Sequence, residues 1–498
     1  MKYIVILLLS LFLFNCSLPE VGAPKKESIE KPDEEVPEEI DIISISSLEE
    51  LREYAAKDDV HVKMAAGTYL INDASYFKEL NIDRYDDTND QIPDGTYAIS
   101  TLFHFSGNNN IFDLEGVVIN VDTAIYPSID NNGKINEVFI DGTNNIIKGL
   151  SFNNLGDGYT APYTDGTSAI MLTVSGVDNT LEDVSLYITG SWPYGYGQLL
   201  GKSSDALVSL HKHSSLLVTG TGTKLLRCNV ITRAFGHGIV LQGAVNTLIE
   251  DCYVEGEMRS TDDILEGDLS DITQYVTVDG KQVPKSYYAP GYFEKGHMIS
   301  MNEDGVRTYL DGPFSYSRTK KVTVVNTTVK NMRSGFVLVH GSGEMTISNS
   351  TAIGCESAFS GGTGIEISKS KGDAQYGPLL TFPYKNSRNC VVDLELINTE
   401  SDFPPQRLVE IIGNGHNITI KNHENKVRAT PLPIVFGEST YADDKFFRGF
   451  SYSEYAGAST NFLNNKTQMP IVFTDLADSN SVTTNGTVTD NGQSNIVN

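Results

Sequence analysis

Gly142-Thr-Asn-Asn-Ile-Ile-Lys-Gly-Leu-Ser-Phe152 and Gly176-Val-Asp-Asn-Thr-Leu-Glu-Asp-Val-Ser-Leu186 are two versions of one unit, a Gly/Asn turn followed by a short alternating strand. The unit returns as Gly243-Ala-Val-Asn-Thr-Leu-Ile-Glu-Asp-Cys-Tyr-Val254 and as Gly341-Ser-Gly-Glu-Met-Thr-Ile-Ser-Asn-Ser-Thr-Ala-Ile353. Leu226 and Ile249 align 23 residues apart, and Val324 and Ile347 repeat that spacing. Helical periodicity is nearly absent. A fixed period with Asn/Gly corners is the signature of a parallel β-solenoid, whose interior takes alternate side chains of each short strand. A β-sandwich would show hairpin Asn-Gly pairs instead of a constant period.

Outward from the repeat, the chain divides by composition. Residues 1–15 read as a secretory signal, with Lys2 before an apolar run too short to span a bilayer. Leu13-Phe14-Asn15-Cys16 has the form of a loose lipobox, which makes Cys16 the expected lipidated residue. Residues 16–45 are rich in Glu, Lys and Pro and read as an acidic tether. The solenoid is expected over 46–450, followed by a C-terminal cap or polar tail over 451–498. These features predict an exported, outer-membrane-anchored monomer that meets the membrane through its lipid alone. Cys228, Cys252, Cys355 and Cys390 lack metal-ligand spacing and are read as core packing.

The chain carries 37 Lys+Arg against 64 Asp+Glu, a net charge of -27. That balance argues against nucleic-acid binding, which needs a basic footprint. The charge is unevenly spread, however. His211, His213, His237, His297 and His340 fall within one sector, together with Arg233, Arg259, Arg307 and Arg333. Excursions from the period mark loops on one solenoid face. Between Ile249 and Val324 lie 75 residues, and between Leu181 and Leu226 lie 45.

Register counting puts Arg233, Glu257, Arg333 and Glu356 in one column, and Gln242 and His340 in a second. Lys295 and His297 share a strand face, as do Arg307 and Tyr309. Taken singly, each has a structural reading: His237 as a turn cap, Glu257 with Arg259 as a surface ion pair. Together, guanidiniums and imidazoles are what a β-elimination from a uronic acid requires. Cations neutralise the carboxylate and the enolate-like intermediate, and a neutral His or a Tyr moves the proton. His213 or His237 is the expected base and Tyr309 or His297 the expected acid. Arg233, Gln242, Glu257, Arg259, Lys295, Arg307, Arg333 and His340 are expected to bind ligand, with Trp192 as a stacking ring for a sugar.

Several segments carry a family resemblance. They are Gly236-His-Gly-Ile-Val-Leu-Gln-Gly243, Val254-Glu-Gly-Glu-Met-Arg-Ser-Thr-Asp-Asp-Ile264, Gly305-Val-Arg-Thr-Tyr309, Lys330-Asn-Met-Arg-Ser-Gly335 and Ala352-Ile-Gly-Cys-Glu356. The chain resembles right-handed parallel β-helix proteins of the pectate-lyase-like superfamily over roughly residues 60 to 440. Among these it is similar to β-helix lipoproteins of marine Bacteroidota polysaccharide-degradation loci, the ulvan-oligosaccharide dehydratases in particular. The resemblance implies an all-β, single-stranded right-handed β-helix that dehydrates the non-reducing-end uronic acid of an algal, sulfated saccharide. An endo-acting lyase, a carrageenase-like hydrolase and a glycan-binding solenoid are the alternatives. The hydrolase would use Glu257 with Asp262 or Asp263, or Glu303 with Asp304. Calcium-dependent lyases of this fold stack acidic clusters on consecutive coils. Here those columns carry Arg, Gln and His, so no cofactor is expected, with Ca²⁺ through Glu257 the disfavoured option.

Overall fold

The computed structural model describes residues 41–85, 91–129, 134–156, 169–189, 212–260, 275–278, 281–284, 298–300, 302–384, 386–402, 405, 407–438 and 457–498. The described chain winds as a right-handed parallel β-helix. Each full coil contributes two short strands to one long sheet and a third strand to a second sheet. Lys224–Leu226, Asn229–Thr232 and Ile239–Gln242 make up one such coil. The first two strands meet at a corner held by a left-handed residue, Arg227 here and Asp251, Asn326 and Asn349 in following coils, with φ of 54°, 56°, 48° and 51°.

The opposite corner explains the Gly-x-x-Asn of the repeat. A Cβ on Gly142 would lie 1.9 Å from the Gly107 carbonyl oxygen, so only glycine lets the coils approach. Three residues on, Asn145 donates its side-chain N–H to that same Gly107 carbonyl (2.8 Å) and accepts from the Asn110 backbone N–H (3.1 Å). Asn179 repeats both bonds one coil later, to Gly142 and to the Asn145 N–H. This ladder satisfies buried amides that have no strand partner at the turn.

Inside, like stacks on like. Val306, Phe336, Phe359 and Leu380 follow one another in strand register. The rings of Phe336 and Phe359 lie 5.2 Å apart and nearly parallel. The helix Leu48–Ala55, begun by a Ser47–Glu50 capping box, packs Leu48, Leu51 and Ala55 into this core. A second, smaller core forms on the outer face of the second sheet. There Phe139, Leu217 and Val240 are covered by Ile82 and Ile99 of an antiparallel hairpin and by Phe314.

Three sequence expectations need correction. Ile249 pairs with Leu225, not Leu226, so that coil holds 24 residues, whereas Val324 to Ile347 holds 23. The extra residue lies between Leu241 and Val245, where Gly243 sits at φ 72°. A one-residue slip would have turned the interior set outward. The solenoid also starts earlier than residue 46, because Ile42–Ile45 already pairs with His61–Met64. Finally, 451–498 is no polar tail in its described part: Phe462–Lys466, Ser481–Thr484 and Ile496–Val497 continue the ladder in parallel.

Asn145→Ala leaves the buried Asn110 N–H without a partner. We expect a loss of about 1–3 kcal/mol, read by chemical denaturation, with substitution of exposed Thr143 by Ala costing far less.

Candidate active site

The excursions that precede the strands His213–Val218 and Asp304–Tyr309 leave the coils at one place, the connection into the second sheet. Strand Asp304–Tyr309 begins there, and Gly305 lets it close on its neighbours, since a Cβ would meet Val329 Cγ1 at 2.3 Å. Gly236, Glu303, Arg333 and Ser357 follow one another along the backbone bonds of this corner. His237 stands beside Asp304 in the next column, and the Gly238 N–H donates to the Asp304 carbonyl.

Charge concentrates at this corner. Asp304 is buried, and its carboxylate accepts from Arg307 Nη1 (2.6 Å) and from Arg333 Nη2 (3.0 Å) and Nε (3.1 Å). Glu303, also buried, faces the Lys212 ammonium at 2.8 and 2.9 Å. Burial alone would raise both carboxyl pKa values. The cations overcome it, so Glu303 falls to about 2, and Asp304, between two arginines, falls further. Both are ionised at neutral pH.

His237 is 4% exposed, and burial lowers its pKa to about 4 against the pull of Glu303 and Asp304. The imidazole is therefore neutral at pH 7. Its Nδ1 accepts the Asp304 backbone N–H (3.3 Å), which puts the ring proton on Nε2. Nε2 lies 3.2 Å from the Tyr309 hydroxyl and 3.1 Å from Glu303 Oε2. Tyr309 is in turn overlaid by the Arg307 guanidinium, 4.5 Å from the ring centroid. Burial pushes the Tyr309 hydroxyl up to about 12.

A second buried group sits on neighbouring coils. His213 Nε2 is 3.0 Å from Glu137 Oε1, which also accepts from the Tyr126 hydroxyl, while Asn154 donates to Glu137 Oε2 at 2.9 Å. His213 and Glu137 are 3% and 0% exposed. That histidine is held in the wall and is not open to a ligand.

Of the residues expected from sequence, His237, Arg307, Tyr309 and Arg333 converge. Arg233 and Glu257 instead bind each other at 2.5 and 3.0 Å on a partly exposed surface. Gln242 pairs in register with Tyr309. His340 lies 3.3 Å from the Tyr384 hydroxyl, its pKa lowered by burial. Arg259 is on the short strand Met258–Ser260, which pairs with Met298–Ser300. Cys16, Trp192, Lys295 and His297 lie outside the described residues, as do Asp262 and Asp263. Sequence reading missed Lys212 and Glu137. Lys212 lay between two more conspicuous histidines, whereas Glu137 interrupts the apolar run Ile135 to Ile140, a visible signal. Among the described residues no group of three or more His, Cys, Asp and Glu is arranged to hold a metal ion.

A family model described as "Right handed beta helix region" matches residues 207–376, about a third of the chain. No curated protein matches it. Among solved structures it is similar to the mannuronan C-5 epimerase AlgE6 A-module of Azotobacter vinelandii, with TM-score 0.36, 10% identity, and 90% and 91% of the two chains covered. It is also similar to the alginate lyase AlyF-OU02, with TM-score 0.42, 12% identity and coverage of 92% and 83%. The endo-xylogalacturonan hydrolase of Aspergillus tubingensis gives TM-score 0.36, 10% identity and coverage of 92% and 92%.

The titrations carry a stability prediction. His237 binds its proton less readily folded (about 4) than unfolded (6.5), so its contribution is full above pH 6.5 and is lost as pH falls toward 4. His416, buried and likewise lowered to about 4, acts in the same window. Glu303 and Asp304 extend the loss below pH 4.5. Urea denaturation across pH 3–8 should show that His237→Gln flattens part of the upper window, by a slope of up to about 1.4 kcal/mol per pH unit.

Proposed function

We propose that this β-helix is a carbon–oxygen lyase that eliminates across C4 and C5 of a uronic acid, dehydrating the non-reducing end of an algal, sulfated oligosaccharide of the ulvan type. The observation that carries the reading is the Asp304 corner. Lys212, Arg307 and Arg333 gather there, and a ligand carboxylate would enter their field beside the Tyr309 hydroxyl and a neutral His237. Lys212 is 45% exposed and the two arginines 15%, so ligand can reach the cations. An enolate-like intermediate formed beside them is stabilised where its charge develops.

Tyr309 moves the proton in this reading. His237 turns an N–H toward it, not a lone pair, and so favours the phenolate, as does the guanidinium over the ring. The Tyr309 phenol first gives its proton to solvent; the phenolate then takes the C5 proton, the C4–C5 double bond forms, and the phenol returns that proton to the C4 oxygen, which leaves as water and restores the phenolate. One group serving both steps requires the C5 hydrogen and the C4 oxygen on the same ring face. Glucuronic acid has that arrangement and iduronic acid does not.

The hydrolase alternative fares worse. It needs one carboxyl kept protonated as general acid. Glu303 and Asp304 are both held ionised, and Glu257 is engaged with Arg233. The signal-like start, Cys16 and the acidic stretch support an exported, lipid-anchored enzyme.

Incubation with uronic oligosaccharides should yield products lighter by one water, with the ultraviolet absorbance of the new double bond. Tyr309→Phe should lower kcat by about 10²–10⁴-fold without unfolding the protein. Glucuronate-ended substrates should outpace iduronate-ended ones by about 10²-fold or more. Shortened chains with new reducing ends and no chromophore would overturn the proposal.

A further inference from the structure

At the opposite ends of the second-sheet strands lies a cavity of about 370 Å³ that the elimination does not use. Its floor is formed where the strands Lys134–Ile140, Ala169–Val174 and His213–Val218 end. Its walls are the hairpin strand Lys78–Arg84 with Tyr85, and the segment 314–317 that follows the Tyr309 strand.

The lining specifies a ligand by its chemistry. The rings of Tyr85 and Tyr316 meet edge to face at 5.7 Å, and Tyr316 is 43% exposed, so flat apolar surface with polar tips borders the opening. Asp83 and Asp141 contribute carboxylates, while no Lys or Arg is among the described residues that line the cavity. Deeper in, the wall is closed by Thr219, which is only 4% exposed and whose Oγ1 is sealed from the opening. The Asp141 carboxylate holds His104 Nε2 at 2.8 Å, which leaves too few free acids for a cation cage.

We propose that this cavity binds a neutral pyranose, with Asp83 accepting from its hydroxyls and the Tyr85–Tyr316 pair against the ring face. The two carboxylates repel a uronate or a sulfated sugar. The Asp304 corner and this cavity would then read different residues of one mixed saccharide. The cavity's volume suits one sugar unit, at the lower end of ligand sites of about 300–1,000 Å³.

The test uses the full chain with methyl β-xyloside and methyl β-glucuronide, which differ by a single carboxylate, read by saturation-transfer NMR. Xyloside should bind. Asp83→Asn, at an exposed position of the lining, should weaken it about tenfold while leaving the midpoint of thermal unfolding unchanged. Tyr316→Ala, at an exposed position, should weaken it as well and guards against a folding defect in the first variant. Glucuronide signal should be insensitive to Tyr316→Ala. Xyloside binding unchanged in both variants, absent altogether, or displaced by Ca²⁺ alone overturns the assignment. Binding is read without turnover, so inactivity toward uronates would leave this test intact.

Discussion

Parallel pairing between coils is the constraint on which everything else rests. Each coil must return to the height of its neighbour's hydrogen bonds, so the geometry of every corner is fixed by the coil beneath it. The Gly-x-x-Asn turn is the local answer: glycine admits a carbonyl at 1.9 Å from where a Cβ would be, and asparagine bonds that carbonyl. Once the corners are set, residues far apart in sequence stand a few ångströms apart with no further interaction needed. Asp304 and Arg333 meet in this way, and so do His237 and Tyr309.

The charge cluster depends on that rigidity. Two ionised carboxylates inside a wall are unfavourable unless cations stay in bonding geometry. Adjacent strands supply it: Asp304 and Arg307 share one strand, while Arg333 comes from the following coil. Asp304 thus acts as a positioning residue. It aligns two guanidiniums, gives its backbone N–H to His237, and so fixes which imidazole nitrogen faces Tyr309.

The solenoid was legible because its period is written in turn residues, which local sterics dictate. The exact register was not, since coil length varies, with 24 residues from Leu225 to Ile249, 23 from Val324 to Ile347 and 20 from Ile347 to Ile367, and a stretch such as Leu225-Leu226 offers two apolar candidates. Arg307 and Tyr309 could be paired by strand alternation and Arg333 placed by counting coils, while His237 stood out by residue type alone. Arg233 and Glu257 were grouped by the same counting, yet they neutralise each other; a column predicts proximity and cannot say whether its members bind ligand or one another. Glu303 and Asp304 were visible as an acidic pair. Their role was not, because ionisation in a buried site depends on cations brought from residues 212, 307 and 333. Lys212 entered only through the fold.

The corner from which the excursions leave has an evolutionary meaning. A loop whose two ends are already pinned by the ladder pays closure entropy only logarithmically in its length. The 75-residue coil from Ile249 to Val324 therefore costs about 1 kcal/mol more than a 23-residue one. Segments can lengthen, shrink or be exchanged there while both neighbouring coils keep their register. In such a scaffold, new substrate preferences are reachable by insertion and deletion at a single edge, with the load-carrying sheets left as they are.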